Sequence, residues 1–484
     1  MSIKLLKQSS LYSVGKLFAF AAGLVSYPVL TKTLSVEEYG TVALLTITIG
    51  LMSSFIKLGV QQSIVRFKHE LDKKIFSSNI LALSLTLTTL TAVFLFLVGA
   101  MVRQYSGMNL FQMPVYLIII FSSSLQALQS FCINLLVSSE KSVAVTILGI
   151  IYKLLSLSTM LVAILLISAS SFSFILALLV ADIIYFFILV FWVFKNEYIS
   201  GFSFALVDKV VIRSFLLFGI PMFGYEISNM FHAFLDRFLI EIYLGRENLG
   251  FYSASYNMAK MISDLMLGGL VMAILPQYLS IWKNEGRSAT ELFLTNVNNV
   301  ILLFLPAVVV GIFALSSDLL AILTTEQYKD YSYLLPIILI GTFLFNLGII
   351  YSAGLQIQKK SKTMLRVVIE SVILNLLLNI IFIPMFGLIS AAINTVISYL
   401  WASFRFYFLT RQHLKITFNL LLLLRATTYA MIMYAVISSI QLSSEFGSLI
   451  TKTFLGGFIV VFLIYIFEPK MRDNIISLIK SRLN

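Results

Sequence analysis

Charged side chains standing inside long apolar runs are where this sequence could do chemistry. Lys16 shares one face of its apolar segment with Ser9 and Ser13, at helical spacing. Lys57 shares a face with Thr46, Gly50 and Ser53 in the next segment. At 1.5 Å per residue the two lysines lie about 10 Å and about 12 Å from the same end of adjacent antiparallel helices. Neither segment contains an acidic residue. Two like charges at similar depth in a low-dielectric setting call for an anion between them or for a neutralised lysine. That is the chemistry of a binding site for an anionic group. Snorkelling toward the surface, or pairing with an acid elsewhere in the chain, are the alternatives.

A second set of polar residues lies further along. Glu226, Asn229, Asp236 and Arg237 form a broad stripe on one apolar helix, with His232 at its margin. Ser253, Asn257, Lys260 and Asp264 fall within a narrow arc of the following one. Such stripes do not suit lipid, and are expected to face each other or a watery cavity. Glu226 could bind a proton or Na⁺, and Asn229, Asp236, Asn257 and Asp264 stand with it as cavity-polar or coupling candidates. Plain ion pairing between helices is the competing role for Asp236, Arg237, Lys260 and Asp264. Lys153 and Asp182 fall at similar depth on consecutive antiparallel helices, which predicts a structural ion pair. His69, His232 and His413 are scattered, so no metal site is expected. No phosphate-binding glycine loop and no nucleophile–base arrangement occurs, so neither a cofactor nor enzyme activity is expected.

The elements that must position these residues follow from composition. Of 484 residues 59% are hydrophobic and 12% charged, about half the charge of a soluble domain. Backbone groups in lipid must be satisfied within their own segment, so the long apolar runs are read as helices. Spans are expected near 9–32, 40–64, 77–101, 113–137, 142–167, 172–194, 213–240, 251–278, 293–315, 334–357, 364–383, 388–409, 418–440 and 450–467. The first is longer than a signal-peptide core and is expected to be retained. With both ends inside, twenty Lys and Arg fall in inside segments, against Arg103, Arg246 and Lys329 outside. This positive-inside bias fixes the orientation and accounts for the net charge of +12 without nucleic acid. Cys132 is the only cysteine, so no intrachain disulfide can form.

The chain also repeats itself. Leu34, Glu37 and Gly40 recur as Leu244, Glu247 and Gly250, a constant offset of 210 residues and six spans. This predicts an all-α integral membrane protein of fourteen transmembrane helices. Two pseudo-symmetric six-helix lobes, residues 1–208 and 209–417, surround a central cavity, and two C-terminal helices follow in 418–484. Such duplication is typical of transporters, with the substrate site between the halves. At the repeat offset Glu226 is the counterpart of Lys16, which makes a Lys–Glu contact across the lobes an expected closed-state feature.

Three stretches carry a resemblance. Tyr27-Pro28-Val29-Leu30-Thr31 runs into Leu34–Gly40; Asp236-Arg237-Phe238 is followed by Leu244-Gly245 and Gly250-Phe251-Tyr252-Ser253; Pro384-Met385-Phe386-Gly387 is followed by Ala391-Ala392. In this order and spacing the chain resembles, over nearly its whole length, the polysaccharide transporter family. These are oligosaccharide flippases of O-antigen and capsule pathways, within the superfamily that also holds lipid II flippases and multidrug–cation antiporters. The resemblance implies alternating-access transfer of an undecaprenyl-diphosphate-linked glycan across the bacterial inner membrane. It implies a cationic cavity, for which Lys16, Lys57, Arg237 and Lys260 are the candidates. The family often has Arg or Lys where this chain has Asn257, which leaves Lys260, one turn later, for that role. Implied partners are the lipid-linked glycan, membrane lipids, a coupling H⁺ or Na⁺, and polysaccharide-assembly membrane proteins. A multidrug–cation antiporter or a lipid II flippase is the rival within the superfamily. A membrane glycan polymerase or ligase is the rival outside it, disfavoured because the longest outside loop, about Ser316–Tyr333, is too short for a catalytic domain.

Overall fold

The computed structural model describes residues 3–68, 70–106, 113–139, 141–440 and 444–469. They are helical apart from short turns and connectors. In chain order the helices are α1 (Ile3–Thr33), α2 (Val36–Lys57), α3 (Val60–Phe67), α4 (Lys73–Ser106), α5 (Met113–Ser138), α6 (Ser142–Leu166), α7 (Ser171–Lys195) and α8 (Lys209–Leu244). They continue as α9 (Arg246–Asn284), α10 (Arg287–Leu323), α11 (Leu334–Tyr351), α12 (Ala353–Ile357), α13 (Ser361–Phe386), α14 (Leu388–Arg411), α15 (Leu420–Ser438) and α16 (Glu445–Phe467). Among the described residues eleven helices are long and apolar enough to cross a membrane. The helices α1, α9 and α14 stand where the other three spans are expected, and α9 carries Lys260 and Asp264 in mid-course.

Short turns separate the expected spans 142–167 and 172–194, and 364–383 and 388–409. Ser170 caps α7 by accepting a bond from the Ser173 amide at 3.2 Å. Gly387, at φ +65°, separates α13 from α14, a backbone conformation that glycine adopts without strain. One expectation fails in detail. The second span is not continuous over 40–64: the chain breaks at Leu58 and Gly59, both in the left-handed region (φ 44° and 74°), and restarts as α3. Gly59 at positive φ and the polar Gln61, Gln62 and Ser63 that follow mark the break locally, within a run that is long enough to read as one span. Conversely, α8, α9 and α10 run to 36, 39 and 37 residues. They outlast their apolar cores because a helix does not end where its side chains turn polar.

The chain forms two compact units. One comprises Met1–Ser253 with Ser361–Gly387, the other Ala254–Lys360 with Leu388–Asn484. In the first, Phe215 of α8 is fully buried among Val60, Ile64, Phe76 and Phe131. The connector between α7 and α8 is fastened to α4 by hydrogen bonds: Ser200 N–H to Ser77 Oγ (2.9 Å), Ser203 N–H to Ser78 Oγ (3.1 Å), and Asn79 to both Leu206 and Asp208 (2.8 Å each). In the second unit the last two helices pack on α10, where Leu303, Tyr429, Met433, Ile437, Val460 and Ile464 are buried together. Polar contacts reinforce this seam: Asp318 of α10 accepts from Ser448 (2.9 Å) and Lys452 (3.2 Å) of α16. Large apolar side chains such as Leu165, Phe187, Phe191 and Phe454 remain exposed, as expected where lipid rather than water is the neighbour.

Candidate functional site

The break between α2 and α3 builds the first polar centre. Gly59 lies so close to α8 that a Cβ there would fall 2.0 Å from the Gly219 carbonyl oxygen. Backbone-to-backbone contact at this point sets residues on both sides of the break against α8, two turns beyond Gly219. The Lys57 ammonium bonds Glu226 Oε1 at 2.9 Å. Ser54 Oγ donates to the same oxygen at 2.8 Å, and the Gln61 amide donates to Oε2 at 2.7 Å. Lys57 is therefore not unpaired. Its partner acid comes from the second half of the repeat, one of the alternatives open from sequence. Ser54 and Gln61 are buried, at 2% and 4% exposure, whereas the Lys57 and Glu226 side chains keep 14% and 28%. Three donors of different kinds thus converge on one partly accessible anionic group.

A second centre lies deeper on α8. Asp236 is fully buried. It accepts from Tyr252 Oη at 3.0 Å and from Asn379 Nδ2 at 2.6 Å, and the Asn379 amide also reaches Asn375 Oδ1 at 3.1 Å. The asparagines sit four residues apart on one face of α13, both fully buried. A phenolic O–H and an amide N–H thus both donate to one buried carboxylate, and an acid inside an apolar bundle is a candidate for proton or cation coupling. Beside it, Arg237 is also buried, at 4%, with Nη1 donating to the Ala233 carbonyl at 3.0 Å. One turn earlier, His232 Nε2 lies 3.2 Å from Ser371 Oγ.

The remaining candidates are placed as follows. Lys260 and Asp264 form an i,i+4 ion pair at 3.4 Å on α9, each with 61% of its side chain exposed. Asn257, one turn before, is half-buried. The side chains of Lys16 and Asn229, and His69, lie outside the described residues. The expected Lys153–Asp182 ion pair is not formed. Asp182 is fully buried and takes instead Tyr152 Oη at 2.9 Å and Gln126 Nε2 at 3.1 Å, while its backbone carbonyl accepts from Gln129. Lys153 follows Tyr152 by one residue, which turns it about 100° around α6, and it is exposed. Equal depth did not mean equal azimuth.

Ser54, Gln61, Tyr252, Asn375 and Asn379 are the residues that charge-based reading missed. The asparagine pair had a signal, since two amides at i,i+4 in an apolar span are costly unless bonded.

By structure the chain is similar to a lipid II flippase, MurJ, in an inward closed conformation, with a TM-score of 0.79 at 17% identity, covering 95% of this chain and 99% of that one. It is also similar to an inward-facing multidrug resistance MATE family transporter of the MOP superfamily, with a TM-score of 0.66 at 15% identity, covering 82% and 94%. These likenesses establish a shared fold. By sequence it is 28% identical over 176 residues to the probable low-salt glycan biosynthesis flippase Agl15 of Haloferax volcanii. That match spans 36% of this chain and only 37% of the relative. The family described as polysaccharide biosynthesis protein matches residues 5–282, more than half of the sequence, and the chain belongs to that family.

Proposed function

We propose that this protein is a flippase, carrying a lipid-linked oligosaccharide from the inner to the outer leaflet of the cytoplasmic membrane by alternating access. The observation that carries the reading is membership of a polysaccharide biosynthesis family by a chain whose fold matches a lipid II flippase over 95% of its length. The chemistry suits the task. A diphosphate cannot cross hydrocarbon unaided, and a sugar chain brings many hydroxyls. A watery, polar path lined by lysines replaces their hydration while the lipid tail stays in the bilayer.

In this reading all fourteen spans cross the membrane, both ends are cytoplasmic, and the lobes 1–208 and 209–417 are the bodies that rock. The cargo is an undecaprenyl-diphosphate-linked repeat unit of O-antigen or capsule type in a bacterial inner membrane. Lys16 and Lys57 hold the diphosphate, the exposed Lys260 extends the cationic path, and Arg237 joins it once it becomes accessible. Asp236 with its asparagines is the group that binds the coupling H⁺ or Na⁺. No bond in the cargo is made or broken, so no enzyme activity is assigned.

Deletion of the gene followed by mass analysis of the membrane lipids tests the proposal. A lipid-linked oligosaccharide should accumulate on the cytoplasmic side, and its mass names the glycan. An unchanged lipid-linked pool, with loss of resistance to cationic drugs instead, would replace the reading by the multidrug antiporter.

A further inference from the structure

Resting on that reading, we propose that Glu226 is a built-in competitor for the cargo's phosphate. Its carboxylate occupies the Lys57–Gln61–Ser54 donors when the site is empty, and the phosphate displaces it on binding. The donor set is the starting point. An ammonium at 2.9 Å, a hydroxyl at 2.8 Å and an amide at 2.7 Å all point at one carboxylate. Carboxylate and phosphate oxygens accept from the same donors, so the geometry that satisfies Glu226 also satisfies a phosphate oxygen.

The centre is not saturated by Glu226. The Gln61 side-chain oxygen is buried with no hydrogen-bond partner, although Gln61 is only 4% exposed. A buried acceptor left unmet is costly. A glutamate cannot meet it, because an ionised carboxylate has no proton to give. A ligand that carries a hydroxyl beside its phosphate can do both jobs: its phosphate takes the Lys57, Ser54 and Gln61 donors, and its hydroxyl donates to Gln61 Oε1. That is the chemistry of a sugar phosphate at the reducing end of a lipid-linked glycan.

Exchange also gives binding a structural consequence. Lys57 and Glu226 lie on α2 and α8, and their contact exists only while the two helices are drawn together. A ligand shifts a conformational equilibrium only by binding one state better than another. A phosphate that takes Lys57 removes one of the contacts between α2 and α8, and so shifts the balance toward a state in which Lys57 and Glu226 are apart. Glu226 is a positioning residue here: it sets how strongly the empty site stays closed and does not itself bind cargo.

The test uses the full-length protein in nanodiscs, with undecaprenyl diphosphate as the probe and undecaprenol as the uncharged control. Glu226→Gln keeps the shape but removes the charge that competes, so it should bind the diphosphate roughly tenfold more tightly than wild type and bind undecaprenol no better. The double variant Glu226→Gln, Lys57→Met should lose that gain. Glu226→Asp, which keeps the competing charge, should stay near wild type, a pattern that simple loss of packing would not give. If Glu226→Gln binds the diphosphate no better than wild type while wild type still flips the lipid-linked glycan, the competitor role is overturned and the flippase reading stands. If neither protein distinguishes the diphosphate from undecaprenol, both are overturned.

Discussion

Gly40 and Gly250, related by the internal repeat, touch each other through their backbones. A Cβ on Gly40 would fall 2.5 Å from the Arg246 carbonyl oxygen, and one on Gly250 would fall 2.1 Å from the Val36 carbonyl oxygen. Each glycine therefore meets the carbonyl of the residue four places before its counterpart. The repeat read from sequence is expressed here as a symmetric crossing of α2 with the start of α9. Carbonyls in a helix cannot rotate away, so a methyl at either position forces the helices apart. Gly40→Ala and Gly250→Ala should each destabilise the protein by roughly 1–3 kcal/mol and suppress transport. Gly149 and Gly457 have nothing within 4 Å of a built Cβ. Alanine at either should be neutral or stabilising by up to about 1 kcal/mol. Thermal unfolding of the four variants in one detergent checks the contrast.

Tyr152 and Lys153 should behave in opposite ways. Tyr152→Phe takes a hydrogen bond from the buried Asp182, which should cost about 1–3 kcal/mol. Lys153→Met alters an exposed side chain and should leave stability within about 0.5 kcal/mol. Equal losses in the two variants would restore the ion pair expected from depth alone.

The buried centre on α8 should govern coupling. Asp236→Asn keeps the volume and removes the charge. It is expected to abolish the response of flipping to an imposed Na⁺ or pH gradient while the protein still inserts. Asn379→Ala, which removes the amide at 2.6 Å, should weaken that response in the same direction. Flipping rates with and without each gradient provide the measurement, and they also identify the ion.

A pH dependence should come from the loop between α3 and α4. Lys68 there donates to Ser139 Oγ and to the Leu135 carbonyl, at 3.1 Å for the latter. Burial first, and then the nearby Lys73, pull its ammonium from the ordinary 10.5 to about 8. The folded protein thus sheds this proton at lower pH than the unfolded chain. Between about 8 and 10.5 the unfolded chain binds more protons, so the Lys68 contribution to stability rises with pH across that window and is constant below it. Melting temperature followed from pH 7 to 10 should show this rise in wild type, reduced in Lys68→Met. A slope unchanged by the substitution would assign the effect elsewhere.

The sequence made the helical class and the order of helices legible, because apolar length is a strong signal and Ser170 and Gly387 mark their turns locally. It made Lys57, Glu226, Asp236 and Asp182 conspicuous, because charge in an apolar run is rare and expensive. Partners were less legible. Depth along a helix follows from counting residues, but which side chains meet depends on how each helix is rotated about its axis. Depth alone pairs Asp182 with Lys153, whereas rotation about α6 brings Tyr152 to it. The break at Leu58–Gly59 had local signals in Gly59 and the polar Gln61, Gln62 and Ser63, but the close approach of Gly219 that it serves comes from a distant part of the chain. Gln61 lies just past that break and carries no charge, so nothing in its own segment pointed to Glu226.

Movement of a lipid-linked glycan between leaflets is open to direct measurement. Purified protein in liposomes, with a lipid-linked oligosaccharide in the bilayer and a glycan-cleaving enzyme outside, measures this directly. Wild-type protein should expose the inner-leaflet pool to the enzyme, protein-free liposomes should retain about half of it protected, and Lys57→Ala should resemble the protein-free control. A protected pool that persists with wild-type protein, in liposomes where the same protein exports a cationic dye, would make this protein a cation exporter and not a flippase.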